Sequence, residues 1–277
     1  MSEPPRVHSV PVRGGRMEVL TLPGGAGTPL LVLGGVETAL RPMAGTESVL
    51  AHRWRRRRST RTVVVVGRPL AARPDRVAEL AHPRAIADAV ADPLEGLGRP
   101  VAVEAESGGG RVALWLAAEH PELVDRMVLA SVAAETPPSM AAALGRWIEL
   151  AQDQRWGELY AHLAVIVRPA GSVQAAALSI AARATPAPAT PERFVEELRA
   201  TLDPSSYVTD RLSAIRGPAL VLAGGQDRVV PPDATRAVAD GIPDARFEID
   251  PECGHTVRGS FTGYDALVDA FLSSSIG

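Results

Sequence analysis

Lysine is missing from the chain altogether, and all 29 basic residues are arginine. That absence excludes Schiff-base chemistry and the phosphate-binding loop that ends in Gly-Lys. Cysteine occurs once, at Cys253, so no intramolecular disulfide can form and a reducing compartment is expected. Long apolar runs are lacking too: none reaches the roughly 18 residues of a membrane span. The opening MSEPPRVHSVPVRGG has no apolar core of the kind a signal peptide carries. The expectation is a cytoplasmic protein with no membrane partner. No His/Cys/Asp cluster has metal-ligand spacing and no dinucleotide glycine pattern follows the first strands, so neither metal nor cofactor is expected. An excess of one charge is also absent. The 32 acidic residues against 29 basic ones leave −3, which argues against a polyanion-binding surface and against nucleic acid as a partner. The one basic cluster, RWRRRR at 53–58, reads as the solvated end of a helix.

What is present is alternation. Short β-branched runs, RMEVLTL (16–22), PLLVLG (29–34), TVVVVG (62–67), PVAVEA (100–105), RMVLAS (126–131), PALVLAG (218–224) and ARFEID (245–250), alternate with helical patterns. The helices are expected at about 45–57, 75–91, 108–119, 232–240 and 262–273. Such alternation predicts an α/β fold with a mostly parallel, doubly wound sheet, and runs like VVVV suit strands buried on both faces. With 277 residues and 46% apolar content, one large core is expected. The alternation lapses once, from 134 to 215, where helical stretches and the proline-rich ATPAPATPER replace strands. We read 134–215 as an inserted helical lid over a core of 1–133 and 216–277. A helical layer that merely completes the core is the other reading.

The chemistry centres on VEAESGGGRVALW. Ser107 follows a strand and opens a helix, which places it at the sheet edge where open α/β sheets hold their ligands. The sharp turn of a nucleophile elbow needs small residues two before and two after the serine; Ala105 and Gly109 satisfy that need. A serine hydroxyl requires a base to take its proton and an acid to orient the base. Asp227 and His255 lie in loops that follow strands ending at the same edge, in the order Ser, Asp, His. Glu135 is the reserve acid. Asp227 as a turn-capping residue, and His255 and Cys253 as packed side chains, are the plain structural readings.

These segments resemble the α/β-hydrolase superfamily, in the lidded group that embraces many bacterial esterases. AESGGGRVALWLAAEHPELVDRMVLAS is similar to its elbow, helix and following strand, DRLSAIRGPALVLAGGQDRVVPP to its acid loop, and CGH to its His ending. The resemblance implies the α/β-hydrolase fold, with Ser107 as nucleophile, His255 as base and Asp227 as orienting acid. It also implies an oxyanion hole from the N–H groups of Val36 and Gly108, beside Gly35. Three departures stand out. Gly34 occupies the place of the family's usual His, so the bonds that brace this loop are expected to be missing. VVVVGRPLAARPDR replaces an acidic, glycine-rich turn. Glu106 neighbours the nucleophile and is expected to face solvent.

The resemblance implies a serine hydrolase that cleaves an ester, thioester or lactone of a small to medium apolar molecule through an acyl-enzyme. The alternative is a diverged member that binds, cyclises or eliminates a small molecule without one. A fluorophosphonate probe on Ser107 separates the two. Trp147, Trp156 and Tyr160, at helical spacing with Leu150 and Leu159, are candidates for the substrate wall, or else for the core of the lid. The substrate itself and the oligomeric state are not written in these residues.

Overall fold

A computed structural model describes residues 5–40, 42–188 and 190–274. Eight strands form one sheet: β1 (Val7–Val12), β2 (Gly15–Leu33), β3 (Arg61–Val66), β4 (Leu70–Ala71), β5 (Val101–Glu106), β6 (Val124–Ala130), β7 (Ala219–Gly224) and β8 (Ala245–Asp250). The α-helices are α1 (Glu47–Arg53), α2 (Arg55–Arg58), α3 (Val77–Ala81), α4 (Pro83–Glu95), α5 (Gly108–Glu119), α6 (Pro138–Gln152), α7 (Trp156–Ile166), α8 (Val173–Ala182), α9 (Pro191–Leu202), α10 (Pro232–Gly241), α11 (Val257–Ser260) and α12 (Tyr264–Ser273).

The runs expected as two strands at 16–22 and 29–34 are the two halves of β2, which wraps around β3. The first half runs against β3 (Leu22 opposite Val63, Val19 opposite Val66) and the second runs with it (Leu30 opposite Val63, Leu33 opposite Val66). β1, which the sequence reading did not anticipate, adds antiparallel to the first half of β2. Its VHSVPV has one buried residue and a proline, as suits an edge. From the second half of β2, the order continues in parallel through β5, β6, β7 and β8. This is the α/β-hydrolase arrangement, and its parallel strands end at one edge.

Alternate residues of the central strands feed opposite cores. Leu31, Leu33, Val64, Val66 and Val103 pack with α4 and α5; Leu30, Val32, Val63, Val65 and Ala102 pack with Trp54 and α12. Burial on both faces is why these runs carry no polar alternation. The expected helix at 75–91 is broken at His82, which is extended (φ −69°, ψ 131°) because the ring of Pro83 disfavours helical geometry in the residue before it. Pro83 then opens α4, where its missing N–H costs nothing. The basic cluster at 53–58 corrects the reading of a wholly solvated helix end: Trp54 and Arg57 are buried. Arg57 donates to Glu104 of β5 at 3.2 Å and pairs with Asp269 of α12.

Among the described residues Arg57 has four buried counterparts, Arg61, Arg68, Arg111 and Arg126. Arg61 and Arg126 reach carbonyls of Leu272 and Phe271 near the end of α12. Arg111 donates to the Thr201 carbonyl at 2.8 Å and to Ser206 Oγ at 3.0 Å.

Between β6 and β7, α6 to α9 build a separate apolar cluster. Leu144, Trp147, Leu150, Trp156, Leu159, Phe194 and Leu198 pack together and against Val36, Leu40, Val229 and Val230 at the strand ends. The last part of the 134–215 segment behaves differently, since Val208, Leu212 and Ile215 join the core beneath the sheet. Among the described residues no helix is long and apolar enough to cross a membrane. The stretch from Arg183 to Ala187 is largely exposed, whereas Arg193 is half-buried beside the buried Phe194. Within 134–215, trypsin under native conditions should therefore cut first after Arg183 and spare Arg193, as mass spectrometry of the fragments would read.

Candidate active site

Ser107 sits between β5 and α5 with φ 54° and ψ −125°, a backbone conformation that costs a non-glycine residue about 1–3 kcal/mol. The turn is pinned on both sides. The Ser107 N–H donates to the Ala130 carbonyl at 3.0 Å, and the Gly110 N–H donates to the Ser107 carbonyl at 2.9 Å. At Gly109 a Cβ would lie 2.3 Å from the Leu33 carbonyl oxygen and 2.4 Å from that of Gly34, so only glycine lets α5 approach the end of β2 so closely. The small residue two places after the serine thus has a physical cause.

His255 Nε2 lies 2.9 Å from Ser107 Oγ, and His255 Nδ1 lies 2.7 Å from Asp227 Oδ2. With Nδ1–H donating to Asp227, Nε2 is left to accept the Ser107 hydroxyl proton. Asp227 also caps its own loop: Oδ1 accepts the N–H groups of Val229 at 2.8 Å and Val230 at 2.9 Å. The turn-capping and partner readings of Asp227 describe its two oxygens. Burial pushes the His255 imidazole down, but the adjoining Asp227 carboxylate, with Glu106 and Glu37 nearby, holds the ring above the usual histidine range. Glu135 is exposed and does not face His255. Cys253 is buried, with Sγ 3.0 Å from Ser260 Oγ, and burial pushes its thiol up.

Gly108 opens α5, and Val36 opens a short 3-10 turn (Val36–Ala39). The N–H of each has no partner inside its own helix. A Cβ on Gly108 would stand 3.4 Å from the Val36 nitrogen, so the two donors border one space beside Ser107. The loop between them is braced, contrary to the expectation drawn from Gly34. Arg68, in the altered loop after β3, donates through Nη2 to the Gly34 carbonyl at 3.0 Å and to the Gly35 carbonyl at 3.1 Å. Its Nε donates to Glu197 of α9 at 2.8 Å, with both side chains buried. A Cβ at position 34 would stand 2.5 Å from the Thr38 methyl, so a side chain there would require Thr38 to turn aside. Nothing in the sequence links Arg68 to a loop 34 residues earlier and a helix 129 residues later, and so the sequence reading missed it.

Two cavities meet at this edge. One, of about 310 Å³, is bordered by Ser107, His255, Val36, Trp147, Leu163 and Val167, and the other, of about 540 Å³, lies beside it under α1. Trp147 therefore faces the serine, with its indole N–H donating to His162 Nδ1 at 2.9 Å. Trp156 and Tyr160, proposed for the same wall, lie elsewhere: Trp156 packs against Tyr160 and Phe194 inside the helical cluster. Glu106 corrects its expected orientation as well, because it borders both cavities. Burial and then the charge of Glu37 push its carboxyl up to about 7. At neutral pH it is about half protonated, which limits the negative charge beside an oxyanion. Glu37 folds back to accept the Gly35 N–H at 3.1 Å. Among the described residues no three His, Cys, Asp or Glu side chains converge to hold a metal ion.

A sheet of this order, with a serine, histidine and aspartate meeting at its carboxyl edge, defines the α/β-hydrolase class. Within it, the profile of the family described as Serine aminopeptidase, S33, matches residues 83–259, and the chain belongs to that family. The match holds Ser107, Asp227 and His255, and leaves Gly34, Gly35, Val36 and Arg68 outside. By sequence the chain is similar to 2-hydroxymuconate semialdehyde hydrolase of Pseudomonas putida, 31% identical over 61% of each chain; the match thus spans less than two thirds of that relative. By fold it is similar to a hydrolase from Pseudomonas aeruginosa, with TM-score 0.76 and 19% identity over 97% of this chain and 98% of that one. The Bacillus subtilis carboxylesterase CesB also shares the fold, with TM-score 0.71 and 15% identity over 98% of this chain and 93% of that one.

Replacing Arg68 by Met should leave the Glu197 carboxylate and two carbonyls buried without their donor, and should lower stability by about 3–5 kcal/mol. Urea unfolding of the variant beside the parent measures this, and an unchanged midpoint would mean that the brace carries no energy.

Proposed function

We propose that the protein is a serine hydrolase that cleaves an ester, thioester or lactone with an apolar acyl or leaving group through an acyl-enzyme. The observation that carries this reading is the unbroken contact from Ser107 through His255 to Asp227. Ser107 Oγ attacks the carbonyl carbon while His255 Nε2 takes its proton. The oxygen of the tetrahedral intermediate gathers charge between the N–H groups of Val36 and Gly108. Two such donors in a site screened from water stabilise that charge strongly, and losing one costs about 10²–10³ in rate. The imidazolium returns its proton to the departing oxygen or sulfur as that bond breaks. Water, deprotonated by the same histidine, then releases the acid. In this reading α6 to α9 are a lid, which holds Trp147, Leu163 and Val167 over the serine.

The relatives favour a second reaction on the same residues. Besides the Pseudomonas putida enzyme, the matches include 2-hydroxy-6-oxononadienedioate/2-hydroxy-6-oxononatrienedioate hydrolases of Paraburkholderia phymatum and Cupriavidus pinatubonensis, 39% and 33% identical over 64 and 84 residues. Water would then be added across the carbon–carbon bond next to the oxo group of a vinylogous oxo-acid, with the oxo carbon leaving as a carboxylic acid and the other carbon taking the proton. Assay of 2-hydroxymuconate semialdehyde beside p-nitrophenyl and thioester substrates decides between them. A binding protein without turnover finds less support, since it would have no use for a strained serine aligned with a histidine.

A fluorophosphonate should label Ser107, and Ser107→Ala and His255→Ala should each lower kcat by about 10⁶ while the fold persists. Asp227→Asn should cost about 10⁴ through the wrong imidazole tautomer. Turnover close to the parent's in Ser107→Ala would remove the acyl-enzyme. Because protonated His255 cannot accept the serine proton, kcat/KM should rise with pH through a midpoint above the ordinary value of about 6.5. The Glu106 carboxylate stabilises the imidazolium, so Glu106→Gln should move that midpoint to lower pH. A shift upward, or none, in the pH–rate profile would show that Glu106 does not act on His255.

A further inference from the structure

The cavity that contains Ser107 is the smaller of the two, and Trp147, Leu163, Ala164 and Val167 close it from above. A long acyl group would extend past the residues that border it. The larger cavity shares Glu37, Arg53 and Glu106 with it, so these three side chains stand between two adjacent chambers. At about 540 Å³ the second chamber falls within the range of small-molecule sites.

Its walls say what it suits. Leu33, Met43, Leu50, Trp54 and Val66 are among its apolar lining residues, and apolar surface predominates. The polar groups on the far wall satisfy one another: Glu104 accepts from Tyr264 Oη at 2.8 Å, from Arg258 at 2.9 Å and from Arg57 at 3.2 Å. The Arg258 guanidinium also stacks on Trp54, 3.4 Å from the ring centre. Arg57 Nη2 makes no hydrogen bond and lies 3.2 Å from Asp265 Oδ1, but Arg57 does not border the chamber. The lining groups Glu104, Tyr264 and Arg258 bond to one another, so an apolar group enters without breaking a bond among them. A second polar band, Glu37, Arg53 and Glu106, lies on the side toward Ser107, where a substrate's own polar bond would sit.

We infer that the second chamber is a substrate subsite, and that the substrate is a two-part molecule. Its reacting carbonyl sits at Ser107, and an apolar arm, a chain or ring system, lies past Glu106 among Leu33, Leu50, Trp54 and Val66. This rests on the hydrolase reading for the carbonyl, but the chamber itself can be tested without turnover.

Leu50 lies on α1, outside the reacting residues, and Leu50→Trp fills the chamber. In the parent, kcat/KM for p-nitrophenyl esters should climb from acetate to octanoate, because each added methylene in an apolar pocket contributes roughly tenfold or more until the pocket is full. Leu50→Trp should leave acetate within about twofold and cut octanoate at least tenfold, mainly through KM. Equal effects on both esters, or none on octanoate, would overturn the subsite. Fluorescence titration of N-phenyl-1-naphthylamine into Ser107→Ala, with and without Leu50→Trp, reads the chamber alone. Weakened binding in the double variant supports the subsite and unchanged binding refutes it. Should circular dichroism show that Leu50→Trp does not fold, Thr46→Phe narrows the same chamber and is read in the same way. If the dye obeys these expectations while Ser107 resists the fluorophosphonate, the chamber stands and the acyl-enzyme falls.

Discussion

The site depends on one close approach of two backbones. Gly109 lies against the carbonyl oxygens of Leu33 and Gly34, which draws the start of α5 under the loop that leaves β2. Two helix starts then face the same small space, each with an N–H that its own helix cannot use. The positive end of α5 points there too. A side chain on residue 109 would push the helix away, separate the Val36 and Gly108 donors, and release the strained turn that presents Ser107. The sheet supplies the ground for this contact: β2 and β5 are paired neighbours, with Leu33 opposite Ala105.

The loop that carries Val36 is held by a group that the family pattern does not suggest. Taken one at a time, a missing His at position 34 and an altered loop after β3 look like two losses. In three dimensions the second makes good the first, since Arg68 reaches both carbonyls that the loop turns inward and is held in place by Glu197. Burial pushes the Glu197 carboxyl up against the pull of Arg68 and Arg193. A buried pair of this kind is costly to form and costlier to break. The family profile begins at residue 83, so it covers Glu197 but not Arg68 or the two carbonyls of Gly34 and Gly35.

The parallel sheet and the strand-end placement of Ser107, Asp227 and His255 were legible because they follow from local rules: β-branched runs, helical periods and small residues around a serine. What remained illegible depended on distance or on direction. β2 looked like two strands because its middle, PGGAGT, has the composition of a turn, although the backbone pairs across it with the end of β3 at Arg61. Arg57 looked solvated among arginines because charge alone does not reveal a buried glutamate on another strand. The direction of Glu106 was undetermined, since residues at a strand end obey no alternation once the chain turns. Trp147 and Trp156 lie on successive helices of one apolar cluster, and only the packing of those helices decides which faces the serine.

The missing lysine acquires a meaning from the five arginines buried among the described residues. Each joins segments far apart in the chain, such as β3 to the end of α12, or α5 to the stretch after α9. A guanidinium offers five donors in a rigid plane and an ammonium offers three around one point. Arg68 bonds in two directions at once, to a carboxylate on one side and to two carbonyls on the other, a geometry that a single ammonium nitrogen does not match. These arginines act as non-covalent staples in a chain that has no disulfide, and net charge is blind to them. A lysine-for-arginine exchange preserves every charge in the molecule and still unfastens the joints between its layers.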